Sequence, residues 1–435
     1  MQPERIYVRV LSNSYQFPFT KQNRENKTTP KSPFTRMEDR GFDLEDRVTA
    51  LEEENRRTLS PADRVAERVH FAPPPGGDLP VLEAEEVLVF GSNNYLGLTG
   101  NQRVQNAARQ AAATVGTGAG ASRPVTGDTL VHHDLERQLA EVTGTDRALS
   151  FSSGYVAGVG TITALEPDAV FVDESTNAGI VDGCKLSRAD VVVYDHCSPD
   201  DLRSKLEMRA EHGADDESWL IATDTVFGTA GTVAPLSAIC NLATTFGAWV
   251  LADETHATGL YAGGGGIVQA EGLEECVDVQ LGSLSMALAS QGGYVAGSDA
   301  LIEWLVHEAP PFVTSPGLAP TSAGAASEAL HVARHTDARE RLWENVAHLR
   351  DGLKSMGFEL RGDSQVLSIV VDDQKDAIAL ADGIRERNVV APATEPPKHD
   401  GRSRLRVTPI ATHRPADVVA CLEALQAAGE DIGLL

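Results

Sequence analysis

Asp278-Val279-Gln280-Leu281-Gly282-Ser283-Leu284-Ser285-Met286-Ala287-Leu288-Ala289-Ser290-Gln291-Gly292-Gly293-Tyr294 reads as a strand, a tight turn and a glycine-rich return. Its two apolar runs, 277–281 and 293–296, are the last of seven candidate strands; the others are 148–151, 169–172, 191–194, 219–223 and 249–252. Stretches of helical period lie between them, for example 133–142 and 199–211. Short apolar strands alternating with helices predict an α/β protein with a doubly wound, mainly parallel sheet. Beyond about Pro320 an alanine-rich helical stretch runs to Met356. Strand-like segments at 365–371 and 405–409 follow, around a helix at 375–387, with a last helix at 415–428. This tail reads as a smaller α+β domain, so the expected division is 91–330 for the large domain and 331–435 for the small one.

Upstream, residues 38–90 read as a helical segment, with Leu44, Val48 and Leu51 on one face. Ser60-Pro61 is read as the N-cap and first turn of a second helix, and Pro73-Pro74-Pro75-Gly76-Gly77 as a break. Residues 1–36 differ from the rest, with seven basic residues against two acidic and a polar, proline-bearing composition. Residues 1–37 are expected to be either a disordered tail or an over-extended reading frame, since Met37 opens chain of the same acidic character as the remainder.

The whole chain has 37 basic and 63 acidic residues, a net charge of −26. Such a surface repels nucleic acid and anionic membranes. Two sources fit the acid excess: an ordinary acidic protein, or adaptation to high salt, and the halophilic reading is preferred. No run of 18 apolar residues occurs, and no secretory leader is visible. The five cysteines show neither a paired nor a metal-ligand spacing, so reduced thiols and a cytoplasmic protein are expected, with no metal site.

Five ordered segments carry a resemblance. They are Ser92-Asn93-Asn94-Tyr95-Leu96-Gly97-Leu98; Gly120-Ala121-Ser122-Arg123 through Gly127 and His132-His133-Asp134-Leu135-Glu136; Asp253-Glu254-Thr255-His256-Ala257-Thr258-Gly259; the 278–294 stretch; and Arg404-Leu405-Arg406 through His413. Each is weak alone. In this order and spacing they resemble the α-oxoamine synthases, pyridoxal-phosphate (PLP) enzymes that join an acyl-CoA to an amino acid with loss of carbon dioxide. The resemblance runs from about residue 88 to the C-terminus and implies the PLP fold type I, a dimer with its active sites at the subunit interface, and acyltransferase chemistry.

It also locates a departure. The family pattern Thr-x-Ser-Lys-Ala-x-Gly-x-x-Gly-Gly is followed here with Ser283 for Thr, Ala289 for Gly, and Met286 for the lysine. A thioether has no amine and forms no Schiff base, and no lysine occurs between Lys205 and Lys354. The family's Asn-His-Ala-Ser segment, which stacks a histidine on the cofactor ring, reads Thr176-Asn177-Ala178-Gly179 here. Its Phe-Ser after the preceding strand reads Phe227-Gly228. Lysine, stacking ring and two hydroxyls are absent together.

What remains is a partial site. The helix start at Ser153-Gly154-Tyr155 suits a phosphate, through free N–H groups and the positive end of the helix dipole, or is a plain strand-to-helix turn. Asp253 ends a buried strand, where such folds present ligands, and the resemblance implies that it faces the pyridine nitrogen. Strand-end capping is the competing reading. His256 is implied to reach the ring's 3-oxygen, Ser283 the phosphate, and Arg406 the amino-acid carboxylate through its fork, with Asn94 beside the substrate. The glycine run 263–266 reads as a flexible loop. Three functions fit: a non-catalytic subunit whose lysine-bearing paralogue supplies the amine, a stand-alone acyltransferase with non-covalent PLP, or a former enzyme that binds a metabolite or regulates. Serine palmitoyltransferase, with one lysine-less subunit, is the family precedent for the first.

Overall fold

The structure is a computed structural model, and it describes residues 42–50, 60–71, 85–214, 216–394 and 401–435. The chain falls into two units, Met1–Leu59 and Ser60–Leu435. In the first, the described element is a helix of six residues, Leu44–Thr49, with Leu44 and Val48 exposed. Leu51 and residues 1–37 lie outside the described residues.

In the second unit the expected helix after Ser60-Pro61 does not form. The Asp63 carboxylate accepts the His70 N–H at 2.8 Å and the Asp63 N–H donates to the His70 carbonyl at 3.0 Å. This side-chain bond offers the backbone an alternative to a helical turn. The chain folds back instead, with Ala62 bridging to Phe71. Strand β1 (Arg68–His70) then pairs antiparallel with β2 (Glu86–Val89).

The seven predicted strands all appear: β3 (Arg147–Phe151), β4 (Ala169–Asp173), β5 (Asp190–Tyr194), β6 (Trp219–Asp224), β7 (Trp249–Asp253), β8 (Val279–Ser283) and β9 (Gly293–Gly297). They form one sheet in the order β3-β9-β8-β7-β6-β4-β5, in which only β9 runs against its neighbours. β8 starts two residues later than its apolar run, because Val277 closes a turn onto Leu273 and the Asp278 carboxylate accepts the Val250 N–H at 2.8 Å. That shift makes Ser283 the last residue of its strand. β4 and β6–β9 are almost wholly buried, as sheet covered on both faces by helices must be.

The alanine-rich stretch is two helices, Pro320–His335 and Ala338–Met356. Thr336 is extended between them, and its hydroxyl accepts the Ala338 N–H at 3.4 Å. Beyond them β10 (Leu360–Arg361), β11 (Leu367–Val371), β12 (Val389–Val390), β13 (Ala393–Thr394) and β14 (Ser403–Val407) complete the strands, with helices Gln374–Arg385 and Pro415–Asp431. β10, β11, β14 and β13 make the small antiparallel sheet, whereas β12 joins β2 in parallel. One apolar cluster includes Leu135, Leu330, Leu367 and Leu405, so residue 330 lies inside a helix and inside a shared core.

In the glycine run read as a flexible loop, Gly263 faces open space while Gly264, Gly265 and Gly266 are buried in a turn. A Cβ on Gly266 would sit 1.2 Å from Glu254 Oε2, so only glycine lets the chain approach that carboxylate. Glu254 is buried and accepts the N–H groups of Ile267 and Val268 at 2.9 and 3.0 Å.

Candidate active site

Parallel strands deliver their C-terminal residues to one edge of the sheet. Asp224 and Asp253 end β6 and β7 directly opposite each other in register, and Ser283 ends β8 on the far side of β7. Ser153 precedes the helix Gly154–Leu165, and its hydroxyl accepts the Val156 N–H at 3.1 Å as an N-cap. The first N–H groups of that helix have no intrahelical acceptor. A Cβ on Gly154 would stand 3.5 Å from the Ser283 Cβ and 3.7 Å from the Thr255 hydroxyl. Gly293 lies so close that a Cβ there would reach the Gly154 nitrogen at 2.4 Å. Ser153, Gly154 and Ser283 are therefore brought together at one helix start. Ser283 Oγ is 2.7 Å from Ser285 Oγ. Tyr155 turns outward, half exposed, and its hydroxyl donates to Asp182 at 3.0 Å.

Asp253 is buried. Its Oδ1 accepts the Thr255 N–H at 2.8 Å and its Oδ2 accepts an Asn177 amide proton at 2.7 Å. The other acid, Asp224, accepts three donors: the Thr176 hydroxyl at 2.6 Å, the Asn177 backbone N–H at 3.0 Å and the Asn177 amide at 2.9 Å. Asn177 Oδ1 meanwhile caps the helix Ala178–Leu186. Burial, then the neighbouring Asp253, pushes Asp224 up to about 7, and burial raises Asp253 as well.

His256 is half-buried, with Nδ1 2.8 Å from the Tyr95 hydroxyl. Burial and the nearby Arg406 cation lower it to about 4, so it is neutral at pH 7. Burial holds the Tyr95 phenol up at about 12. Gln365 donates to the His256 carbonyl at 2.6 Å. A Cβ on Gly228 would lie 2.2 Å from His256 Nε2, so the imidazole fills the room that a side chain at 228 needs. Arg406 donates to the carbonyls of Gly228 and Gly91 at 3.2 and 3.0 Å, while its buried Nε has no partner. Asn94 donates to Thr99 at 2.8 Å and leaves its buried Oδ1 unpartnered.

Met286 is half-buried against the large apolar cluster, in the turn after β8. Ala289, three residues on, has φ 51, a left-handed conformation that favours glycine. Asp224, Glu254 and Gln365 were not singled out as site residues from sequence, and Asn177 was marked only as the place of an absent histidine. The signal for Asp224 was there: β6 and β7 both begin with Trp and end in Ala-Thr-Asp or Ala-Asp. Nothing in the sequence alone places Gln365 near His256.

A ring-bearing phosphate fits this set in part. Glycines at 154 and 293, a capped helix start, an aspartate with spare acceptor lone pairs and an orphaned guanidinium nitrogen suit its non-covalent contacts. The covalent tether has no amine to use. Among the described residues, the one grouping of metal-ligand type is Asp173, His196 and Cys197. There the imidazole nitrogens already face Asp173 Oδ1 and Thr232 Oγ1, each at 2.9 Å, and the Cys197 sulfur sits 3.7 Å from both, over the ring. This is a hydrogen-bonded corner. Arg123 of the glycine-serine-type segment is likewise structural, forked onto Glu136 at 2.6 and 3.1 Å.

The class I and II aminotransferase family matches residues 85–425. The 8-amino-7-oxononanoate synthase 2 of Bacillus subtilis is 34% identical over 359 residues, spanning 81% of this chain and 91% of that protein. The 8-amino-7-oxononanoate synthase of Thermoanaerobacter pseudethanolicus is 35% identical over 372 residues, 83% and 92% of the two chains. Among solved structures, serine palmitoyltransferase of Sphingomonas wittichii superposes with a TM-score of 0.82 at 27% identity, covering 91% of this chain and 98% of that one. A lysine-to-alanine variant of the S. paucimobilis serine palmitoyltransferase, with a bound PLP–myriocin aldimine, gives 0.80 at 27% identity over 87% and 94%. With the fold type I sheet, the ordered segments and relatives at this identity along most of its length, the chain belongs to the α-oxoamine synthase family.

Proposed function

We propose that this chain is the lysine-less subunit of a PLP-dependent acyl-CoA:amino acid C-acyltransferase, paired with a lysine-bearing relative. The observation that carries this reading is Met286, in a turn whose surroundings follow the family pattern with two mild changes, Ser283 and Ala289. The cofactor, when bound, supplies the electron sink for decarboxylative condensation. On this chain, the helix start at Ser153, Gly154 and Tyr155 with Ser283 would hold its phosphate, Asp253 its ring nitrogen, and His256 the ring oxygen. Arg406 would orient an amino-acid carboxylate through its free Nε edge, beside Asn94. Proton transfer at the reacting carbon falls to the partner's lysine, since burial leaves His256 a weak base.

A second reading, PLP held without a covalent link by this chain alone, is favoured by the intact Asp253 and by the lysine-to-alanine relative that still carries a PLP adduct. The third, a metabolite-binding or regulatory former enzyme, draws on the four coincident losses. Purification from the native source decides among them. Co-purification with a lysine-bearing relative, and PLP fixed by borohydride on that relative only, is the expected result. A homodimer with no such relative ends the subunit reading.

A further inference from the structure

We propose that Cys240 and Cys276 are an oxidisable dithiol, which a low-molecular-weight disulfide converts into an internal disulfide bond. This modification site does not depend on how the cofactor pocket is read.

Sequence spacing hid this pair, since 36 residues and a whole strand, β7, separate its members. Packing brings them together. Cys240 sits on the helix Leu236–Phe246, 3% exposed, in an apolar cluster that includes Val277 and has Leu273 packed against it. The short helix Ile267–Glu271 ends at Gly272, whose φ of 67 turns the chain. The Leu273 carbonyl then accepts the N–H groups of both Cys276 and Val277, at 3.0 and 3.2 Å. That turn keeps Val277 in the cluster and leaves Cys276, beside it, exposed. Across this contact the Cys276 thiol is the hydrogen-bond neighbour of Cys240. The groups acting on Cys184, Cys197 and Cys421 include no cysteine. A solvent-facing thiol touching a buried one is the layout of an attacking and a resolving cysteine.

The exchange balances. The Cys276 thiolate attacks one sulfur of a small disulfide RS–SR, forms a mixed disulfide and expels RS⁻. Cys240 then loses its proton to solvent and attacks Cys276 Sγ, expelling the second RS⁻. The two cysteines give up two electrons and two protons, and the reagent leaves as two RSH. Burial, then the neighbouring Cys276, Glu271 and Asp278, push the Cys240 thiol up to about 12. Closure is therefore the slow step, and it quickens as pH rises. The closed loop contains β7 with Asp253 and His256, and it ties the helix Leu236–Phe246 to the turn before β8. Oxidation would restrain the stretch of chain that carries those two residues.

The test exposes the native full chain to oxidised glutathione, quenches with iodoacetamide and maps the cysteines by peptide mass spectrometry. A glutathione adduct at Cys276 is expected first, followed by a Cys240–Cys276 peptide pair lighter by two hydrogens than its separate members. Closure should quicken roughly tenfold per pH unit between pH 7 and 9, as the thiolate fraction does. The oxidised chain should unfold at higher urea, and dithiothreitol should reverse the shift. Cys276→Ser, at an exposed position, should abolish both products, and Cys240→Ala should stop the reaction at the adduct. An adduct that never closes at pH 9, a bond from Cys276 to another cysteine, or a Cys240–Cys276 bond that forms only in urea overturns the proposal.

Discussion

At the scale of one residue, the amine that a lysine brings is separable from the site around it. Met286→Lys is expected to restore a borohydride-fixable pyridoxyl adduct at residue 286, read by mass spectrometry, because the phosphate end and Asp253 are in place. An adduct confined to other lysines would show that the pocket no longer seats the ring. Gly228→Ser tests the neighbouring departure. Its Cβ would overlap His256 Nε2, so about 2 kcal/mol of stability and the Tyr95–His256 bond should be lost together. Denaturation and the imidazole proton resonances report the two effects. The residues that sequence pattern located best, Asp253 and Ser283, sit at strand ends, where register dictates position. Asn177 was visible only as a missing histidine. Its bridging role needs the three-dimensional approach of two strand ends that lie 29 residues apart in sequence.

At the scale of elements, all seven large-sheet strands were legible, because buried parallel strands are continuous apolar runs bounded by turns. The helix expected at Ser60-Pro61 failed because a side chain, Asp63, satisfied a backbone donor that the pattern assigned to a helical turn. Residues 320–356 looked continuous, since helical periodicity survives the two-residue interruption at Thr336. Helix starts and turns also set testable energies. Ser153→Ala should cost about 1 kcal/mol in unfolding free energy by removing the cap on Val156. It should also weaken binding of a phosphate-bearing ring more than binding of its dephosphorylated form. Ala289→Gly should stabilise by up to about 1 kcal/mol, since the left-handed backbone there penalises a Cβ. Urea denaturation measures both.

At the scale of the whole molecule, buried titrating groups oppose one another. His256 and His413 stay neutral down to about pH 4, so the unfolded chain binds protons there that the native one does not. Their contribution to stability falls as pH drops from about 6.5 to 4. Asp224 and Glu254, both pushed up to about 7 by burial, keep protons that the unfolded chain loses. Their contribution rises as pH drops from about 7 to 4. These two pairs oppose one another, so their combined contribution should vary little between pH 4.5 and 6.5. Asp224→Asn should unbalance it, giving a loss of about 1.4 kcal/mol per pH unit on acidification. A steep slope in the wild type would contradict the pairing. The apolar cluster shared by Leu135, Leu330, Leu367 and Leu405 acts on the same scale. A gene split at codon 330 would yield two polypeptides, each with a raw oily face, that neither express well nor assay separately. Mixed during refolding, they should recover one another by complementation.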